Sequence, residues 1–175
     1  SAQIHKLLHS GSVRLGFVGA MLEPDSMTYF PMLEDHLVMC TANNPHYQAL
    51  KKQNVYGRDL LREPTVAREE GSGTDRTVQS YMRNMGLADQ DLHIVARVDD
   101  PEAIKRMTAQ GVGVSVLSAL SVASEVDDGR LLTFPMDPQG LHRSIYLVFP
   151  RETILSQSEQ AFVRFCRQMA IRRNL

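Results

Sequence analysis

The stretch Arg68-Glu69-Glu70-Gly71-Ser72-Gly73-Thr74 joins a short extended run, Thr65-Val66-Ala67, to a helical pattern. In that pattern Val78, Tyr81, Met82 and Met85 recur at i, i+3, i+4 and i+7, one buried face of an amphipathic helix, and Gly86 supplies the stop. A turn of glycine and hydroxyl residues at such a junction leaves backbone N–H groups pointing outward along the positive end of the helix dipole. That arrangement binds anions without a charged side chain. Ser72 and Asp75 also have the spacing of a capping box, with Asp in place of the usual Glu or Gln, and a plain cap binds nothing. The turn therefore offers two readings, a helix start or a receptor for a small anion, and the rest of the chain has to choose.

Other chemistry is poorly served. The six histidines, His5, His9, His36, His46, His93 and His142, are scattered, with no HExxH and no partnered nucleophile. Gly71-Ser72-Gly73 lacks the third glycine of a dinucleotide fingerprint, because Arg76 stands there, and Gly111-Val112-Gly113 fails likewise at Val116. There is no GxxxxGK[ST] loop and no metal-ligand spacing among the aspartates, so no catalysis, cofactor or metal is expected. The net charge of -1, with Lys and Arg spread throughout, gives no basic stripe for nucleic acid. Cys40 and Cys166 lie far apart outside any CxxC, which suits a reducing compartment; with no span-length apolar run and no signal peptide, the cytoplasm is expected.

The elements that would hold the turn follow from periodicity. Ile4, Leu7 and Leu8 mark a first helix ended by Gly11, and Val13, Leu15 and Phe17 alternate as a strand. Leu37 to Thr41 is a short apolar strand stopped by Asn43-Asn44-Pro45, and 46–64 reads as a connecting segment. From Thr65 the order becomes strand, helix 74–85, strand 93–98, helix 101–110 and strand 113–118. A short helix from Ala119 to Val126 and a strand Leu131 to Phe134 follow. Asp100 and Pro101 form a helix start, and Gly111 a stop. Arg143 to Phe149 is a further strand, and the last helix opens with a Ser156–Glu159 capping box and carries Ala161, Phe162, Phe165, Cys166 and Met169 on one face, expected to be buried. This alternation predicts an α/β fold with a mainly parallel sheet.

The pattern divides into two lobes. Residues 1–42 and 142–175 form an outer lobe, 65–135 an inserted inner lobe, and 43–64 and 136–141 the crossovers. Ligands in such folds sit at the carboxyl ends of strands, where helix N-termini face a cleft. The turns at 18–21, 71–74 and 117–119 are expected to converge there.

Taken in order, the motifs resemble the effector-binding (substrate-binding) domain of LysR-type transcriptional regulators. They are Gly11-Ser12-Val13-Arg14-Leu15-Gly16, His36-Leu37-Val38-Met39-Cys40, Asn44-Pro45-His46, Asp59-Leu60, the Arg68–Thr74 stretch, Gly111-Val112-Gly113-Val114, Gly129-Arg130-Leu131 and Tyr146-Leu147-Val148. The resemblance implies a two-lobed, periplasmic-binding-protein-like (type 2) architecture with a small-molecule effector in the inter-lobe cleft, and the glycine-rich turn adds the expectation that the effector is anionic. It also implies homodimers or homotetramers, and an N-terminal winged helix-turn-helix that alone contacts DNA. By position it places Gly19 and Ala20 on one wall of the pocket. Ser72, Gly73 and Thr74 fall at the helix start with Arg76 beside them, and Leu117 and Ser118 at the end of the next strand.

The sequence departs from the family pattern in three places. The DNA-binding headpiece is not in it, and neither is the first strand-helix-strand of the outer lobe. Asp75 stands where Arg usually follows Gly-Ser-Gly-Thr, and Arg14 where Asp is common. A carboxylate at Asp75 is expected to oppose an anion, with Arg76 compensating. An extracytoplasmic solute-binding protein shares the same architecture and is the alternative reading; a plain oligomerisation module is the third.

Overall fold

The computed structural model describes residues 1–173. Its elements in order are α1 (Ala2–His9), β1 (Gly16–Val18), β2 (Met27–Ala42), α2 (Pro45–Lys52), β3 (Thr65–Arg68), α3 (Gly73–Asn84) and β4 (Ile94–Val98). Then follow α4 (Pro101–Ala109), β5 (Ser115–Ser118), α5 (Ala123–Asp127), β6 (Leu131–Pro135), β7 (Leu141–Pro150) and α6 (Gln157–Arg173).

The chain forms two compact units. The first holds Ser1–Glu34, Gly71–Gly73 and the chain from Arg143 into α6; the second holds Asp35–Glu70 and Thr74–His142. This differs from the division drawn from sequence. β2 is one strand of 16 residues, so the boundary falls inside it rather than at the Asn43-Asn44-Pro45 turn, and 35–64 belongs with the second unit.

In the first unit β1 pairs antiparallel with β7, Gly16 opposite Val148 and Val18 opposite Tyr146. Strand alternation then sorts the core. Val148 packs with Leu8, Val18 and Met27, while Leu147 faces Val163 and Cys166 of α6. His5 is buried, its Nε2 2.7 Å from the Tyr29 hydroxyl and its Nδ1 2.9 Å from the Ser1 carbonyl. The Ser156–Glu159 box forms as expected: Ser156 N–H donates to Glu159 Oε2 at 2.7 Å, and Glu159 N–H to Ser156 Oγ at 3.3 Å. The helix it starts buries Cys166 of the expected face but turns the rest of that face outward. Val163, Cys166 and Ala170 point inward, whereas Phe162, Phe165 and Met169 are 44%, 58% and 39% exposed.

In the second unit the end of β2 is flanked antiparallel by β5 (Leu37 opposite Ser118, Cys40 opposite Ser115) and by β6 (Val38 opposite Pro135, Ala42 opposite Leu131). β3 and β4 pair in parallel, and a single parallel bridge joins Thr65 to Val114. The expected mainly parallel sheet is thus confined to one pair. A long β2 takes its partners as returning strands, and antiparallel pairing suits them. Leu37 and Met39 enter a core with Leu60, Leu61, Val114, Val116, Phe134 and Met136. Cys40, on the other face, meets Val66, Ile104, Leu117, Val122 and Leu131. Asp100 Oδ1 accepts from the Glu102 N–H at 2.9 Å, with Pro101 at the first helical position, so α4 starts where its sequence signals put it. The short helix expected from Ala119 begins four residues later, at Ala123, after a turn.

Candidate functional site

The glycine-rich turn divides between the two units, Gly71–Gly73 belonging to the first and Thr74 to the second. In the first unit Gly71 adopts φ 78, a conformation that side-chain-bearing residues rarely take, and the chain then folds Ser72 and Gly73 inward. Gly73 lies against the turn after β1: a Cβ on it would stand 2.8 Å from Gly19 Cα and 3.0 Å from the Gly19 carbonyl oxygen. A Cβ on Gly19 would in turn meet Arg143 Nη1 at 3.1 Å and Gly73 Cα at 3.4 Å. Two glycines let two backbone turns touch, and the Arg143 guanidinium of β7 stands beside them. Gly19 N–H donates to Ser1 Oγ at 3.2 Å, and Ala20 is half-buried next to it. The two glycine turns and the tip of the Arg143 side chain therefore meet at one place in the first unit. Arg143 was not singled out from sequence, since nothing local distinguishes an arginine at the head of a strand.

In the second unit Thr74 and Asp75 open α3 and are both buried. Asp75 Oδ1 accepts from Arg97 Nη1 at 3.1 Å, and its Oδ2 accepts from Gln79 Nε2 at 3.2 Å. Arg97 also donates to the Arg68 carbonyl at 3.2 Å and approaches Glu70 Oε1 at 3.6 Å. Arg68 forms a two-point pair with Glu69, at 2.8 and 3.0 Å. The carboxylate expected to oppose an anion is thus matched by a guanidinium from β4. The signal for Arg97 was present as a charged residue inside the apolar run Ile94-Val95-Ala96-Arg97-Val98, in a strand edge that α3 covers.

The remaining expected site residues have different surroundings. Arg76 is exposed on α3. Leu117 is 2% exposed and belongs to the core with Cys40 and Ile104. Ser118 Oγ donates to Asp35 Oδ1 at 2.6 Å, and Asp35 is itself buried. A depression between α3 and the β3–β4 pair is lined by Thr74, Asp75, Val78, Arg97 and Val116, so Val116 rather than Leu117 shares space with Thr74. The structure brings Gly19 and Gly73 together in one unit, and Thr74 and Val116 in the other.

Among the described residues no helix is long and apolar enough to cross a membrane, and both cysteines are buried and unbridged.

Comparison with known proteins identifies relatives in sequence and in fold. A Phosphonates import ATP-binding protein PhnC of Anaeromyxobacter dehalogenans is 28% identical over 95% of this chain and 33% of its own length. An HTH-type transcriptional regulator of Methanocaldococcus jannaschii, MJ0300, is 27% identical over 94% of this chain and 55% of its own. This chain therefore spans between a third and about half the length of these two relatives. The solved regulatory domain of Synechocystis PCC6803 CcmR, in complex with 2-PG, superposes with a TM-score of 0.80 at 25% identity, over 96% of this chain and 78% of that one. The architecture is the α/β, periplasmic-binding-protein-like (type 2) fold of such effector-binding domains. The family model described as the LysR substrate binding domain matches residues 1–170, and the chain belongs to that family.

Proposed function

We propose that this chain is the ligand-sensing part of a longer transcriptional regulator, and that it takes a small anionic effector at the Gly71–Thr74 turn. The observation that carries the reading is the match of the LysR substrate-binding family across residues 1–170. The convergence of Gly19, Gly73 and Arg143 supports the charge of the effector. CcmR's regulatory domain, solved with 2-PG, supports a small molecule as its class.

Within the first unit Ser72 and Gly73 present backbone N–H groups, Gly19 and Ala20 form a wall, and Arg143 supplies the counter-charge; Thr74 opens α3 in the second unit. Arg76, Leu117 and Ser118 belong to the proposed site through the family's positions. A helix N-terminus contributes roughly 0.3–1 kcal/mol to an exposed anion and up to ~2 kcal/mol when partly buried. Micromolar binding needs about -8 kcal/mol. The turn therefore orients the effector, while Arg143 and apolar enclosure supply most of the affinity. Effector binding favours one of two conformations and passes that bias to a DNA-binding domain elsewhere in the protein. The sensor acts in the cytoplasm as a homodimer or homotetramer, without catalysis and without contacting DNA itself.

The test is a thermal-shift screen of this chain against small carboxylates, phosphate esters, sulfate and neutral analogues. A ligand that binds only the folded form raises the melting temperature by mass action. Anionic hits that weaken in Thr74→Val and in Arg143→Gln are the expected result. Hits restricted to the neutral analogues, unaffected by either change, would overturn the anionic assignment.

A further inference from the structure

We propose that His36 and His142 form a binding site for a first-row divalent transition metal on the surface of the second unit. His36 lies on β2 and His142 at the start of β7, and these strands are neighbours in the sheet. Their rings are 4.4 Å apart between centroids, and their ligand nitrogens lie within 4.8 Å of each other. A zinc ion with two imidazole ligands at about 2.0–2.1 Å holds those nitrogens roughly 3.3 Å apart, a distance that rotation of the exposed His36 ring toward His142 reaches. Both residues are exposed, so water completes the coordination.

The orientation of one ring is already set. His142 Nε2 is 3.0 Å from the Gln139 carbonyl, which can only accept, so Nε2 carries the proton and the neutral ring's lone pair is on Nδ1. A second nitrogen donating to a backbone carbonyl is the usual support of a metal-bound histidine. Strand alternation also puts Glu34 on the same face of β2 as His36. Imidazole donors select Zn2+, Ni2+ or Cu2+ over Mg2+ or Ca2+. His36 is the second residue after the chain first enters the second unit, and His142 the last before it finally leaves, so a bound ion would tie β2 to β7 within that unit. Sequence spacing hides the pair because its members are far apart along the chain.

The test is calorimetric titration of the whole chain with ZnCl2, NiCl2 and MgCl2, together with proton NMR of its imidazole resonances. The expected result is one equivalent of Zn2+ or Ni2+ bound, no Mg2+, and two imidazoles shifted together. Affinity should fall at least ten-fold in His36→Gln and in His142→Gln, and be unchanged in His93→Gln. Retained affinity in both single variants, or loss through His9→Gln instead, would overturn the site. The imidazole shifts of the unmodified protein decide the matter even if a variant folds poorly: shifts confined to other histidines sink the proposal.

Discussion

Asp75 and Arg97 join the first turn of α3 to β4 through a hydrogen-bonded ion pair of 3.1 Å, in which the carboxylate is 8% exposed and the guanidinium side chain 27%. The pair changes the electrostatics of the turn. Read in sequence, Asp75 is a negative charge beside an anion site; in the structure its charge is compensated, and Gln79 holds its second oxygen.

Asp75→Asn should therefore act on stability more than on effector affinity. The change removes the buried counter-charge of the half-buried Arg97, leaving it the Arg68 carbonyl as acceptor and the exposed Glu70 carboxylate at 3.6 Å. Because the guanidinium keeps some access to water, the expected loss is ~1–2 kcal/mol, below the cost of stranding a fully buried charge. Urea unfolding checks this, with Arg97→Met as companion, since it removes the nitrogen that donates to both Asp75 and the Arg68 carbonyl. An unchanged midpoint in both variants would show that the pair does not contribute to folding.

Gly73→Ala should cost more than Gly19→Ala. At Gly73 the added carbon meets Gly19 backbone atoms at 2.8, 2.9 and 3.0 Å, and backbone cannot yield cheaply. At Gly19 the nearest atom is the tip of Arg143, which can move. Denaturant midpoints should show a loss of about 1–3 kcal/mol for Gly73→Ala, in the range for overpacking, and less than half of that for Gly19→Ala. Equal effects would mean that the two turns do not touch in solution.

Local signals made much of this legible in sequence. Caps placed α4 and α6, and the 3.6-residue period placed α3, because those signals depend on neighbours within a turn or two of helix. The first half of β2 was missed because Pro31, Glu34 and Asp35 interrupt its apolar run, and only pairing within the sheet makes it a strand. The face of α6 was misread because Phe162, Phe165 and Met169 and the inward Val163, Cys166 and Ala170 both fit helical spacing. Periodicity detects a stripe, not what covers it. Of the candidate site, the glycine turn was visible and its charged neighbours were not: Arg143 and Arg97 reach it from strands distant in sequence.

Lys105 and Glu125 form a second buried pair, 3.1 Å apart with both side chains 9% exposed. Burial, the largest single influence, pulls the Lys105 pKa down, but the Glu102 and Glu125 carboxylates together outweigh it and hold the ammonium above its ordinary value. Burial likewise pushes Glu125 up, and Lys105, a backbone N–H and Arg130 together bring it below the usual carboxylate value. Glu125 Oε2 has no hydrogen-bond partner among the described residues. Lys105→Met should cost about 3 kcal/mol, because it leaves that carboxylate buried with only Arg130 at 3.6 Å. Adding Glu125→Leu should recover most of the loss. A double-mutant cycle reads this, and additive losses would show that the two charges are not coupled.

Stability should also fall in alkali through Cys40. Burial pushes this fully buried thiol from 9.0 up to about 12, against a smaller opposing hydrogen bond from the Leu117 backbone. The folded state therefore keeps a proton that the unfolded chain releases. The sign follows from proton counting: the unfolded state binds fewer protons between pH 9 and about 12, so unfolding becomes easier as pH rises. The stabilisation is complete below pH 9 and is lost progressively up to about pH 12, at a slope approaching 1.4 kcal/mol per pH unit for one proton. Tyr81, raised from 10.0 to about 12 first by burial and then by Asp137, adds to the decline above pH 10. Cys40→Ala removes the first contribution, so its stability should fall less steeply than the parent's between pH 9 and 10, although cavity formation lowers it overall. Urea midpoints at pH 8, 9 and 10 make the comparison, and parallel curves for parent and variant would show that Cys40 ionises with equal ease in both states.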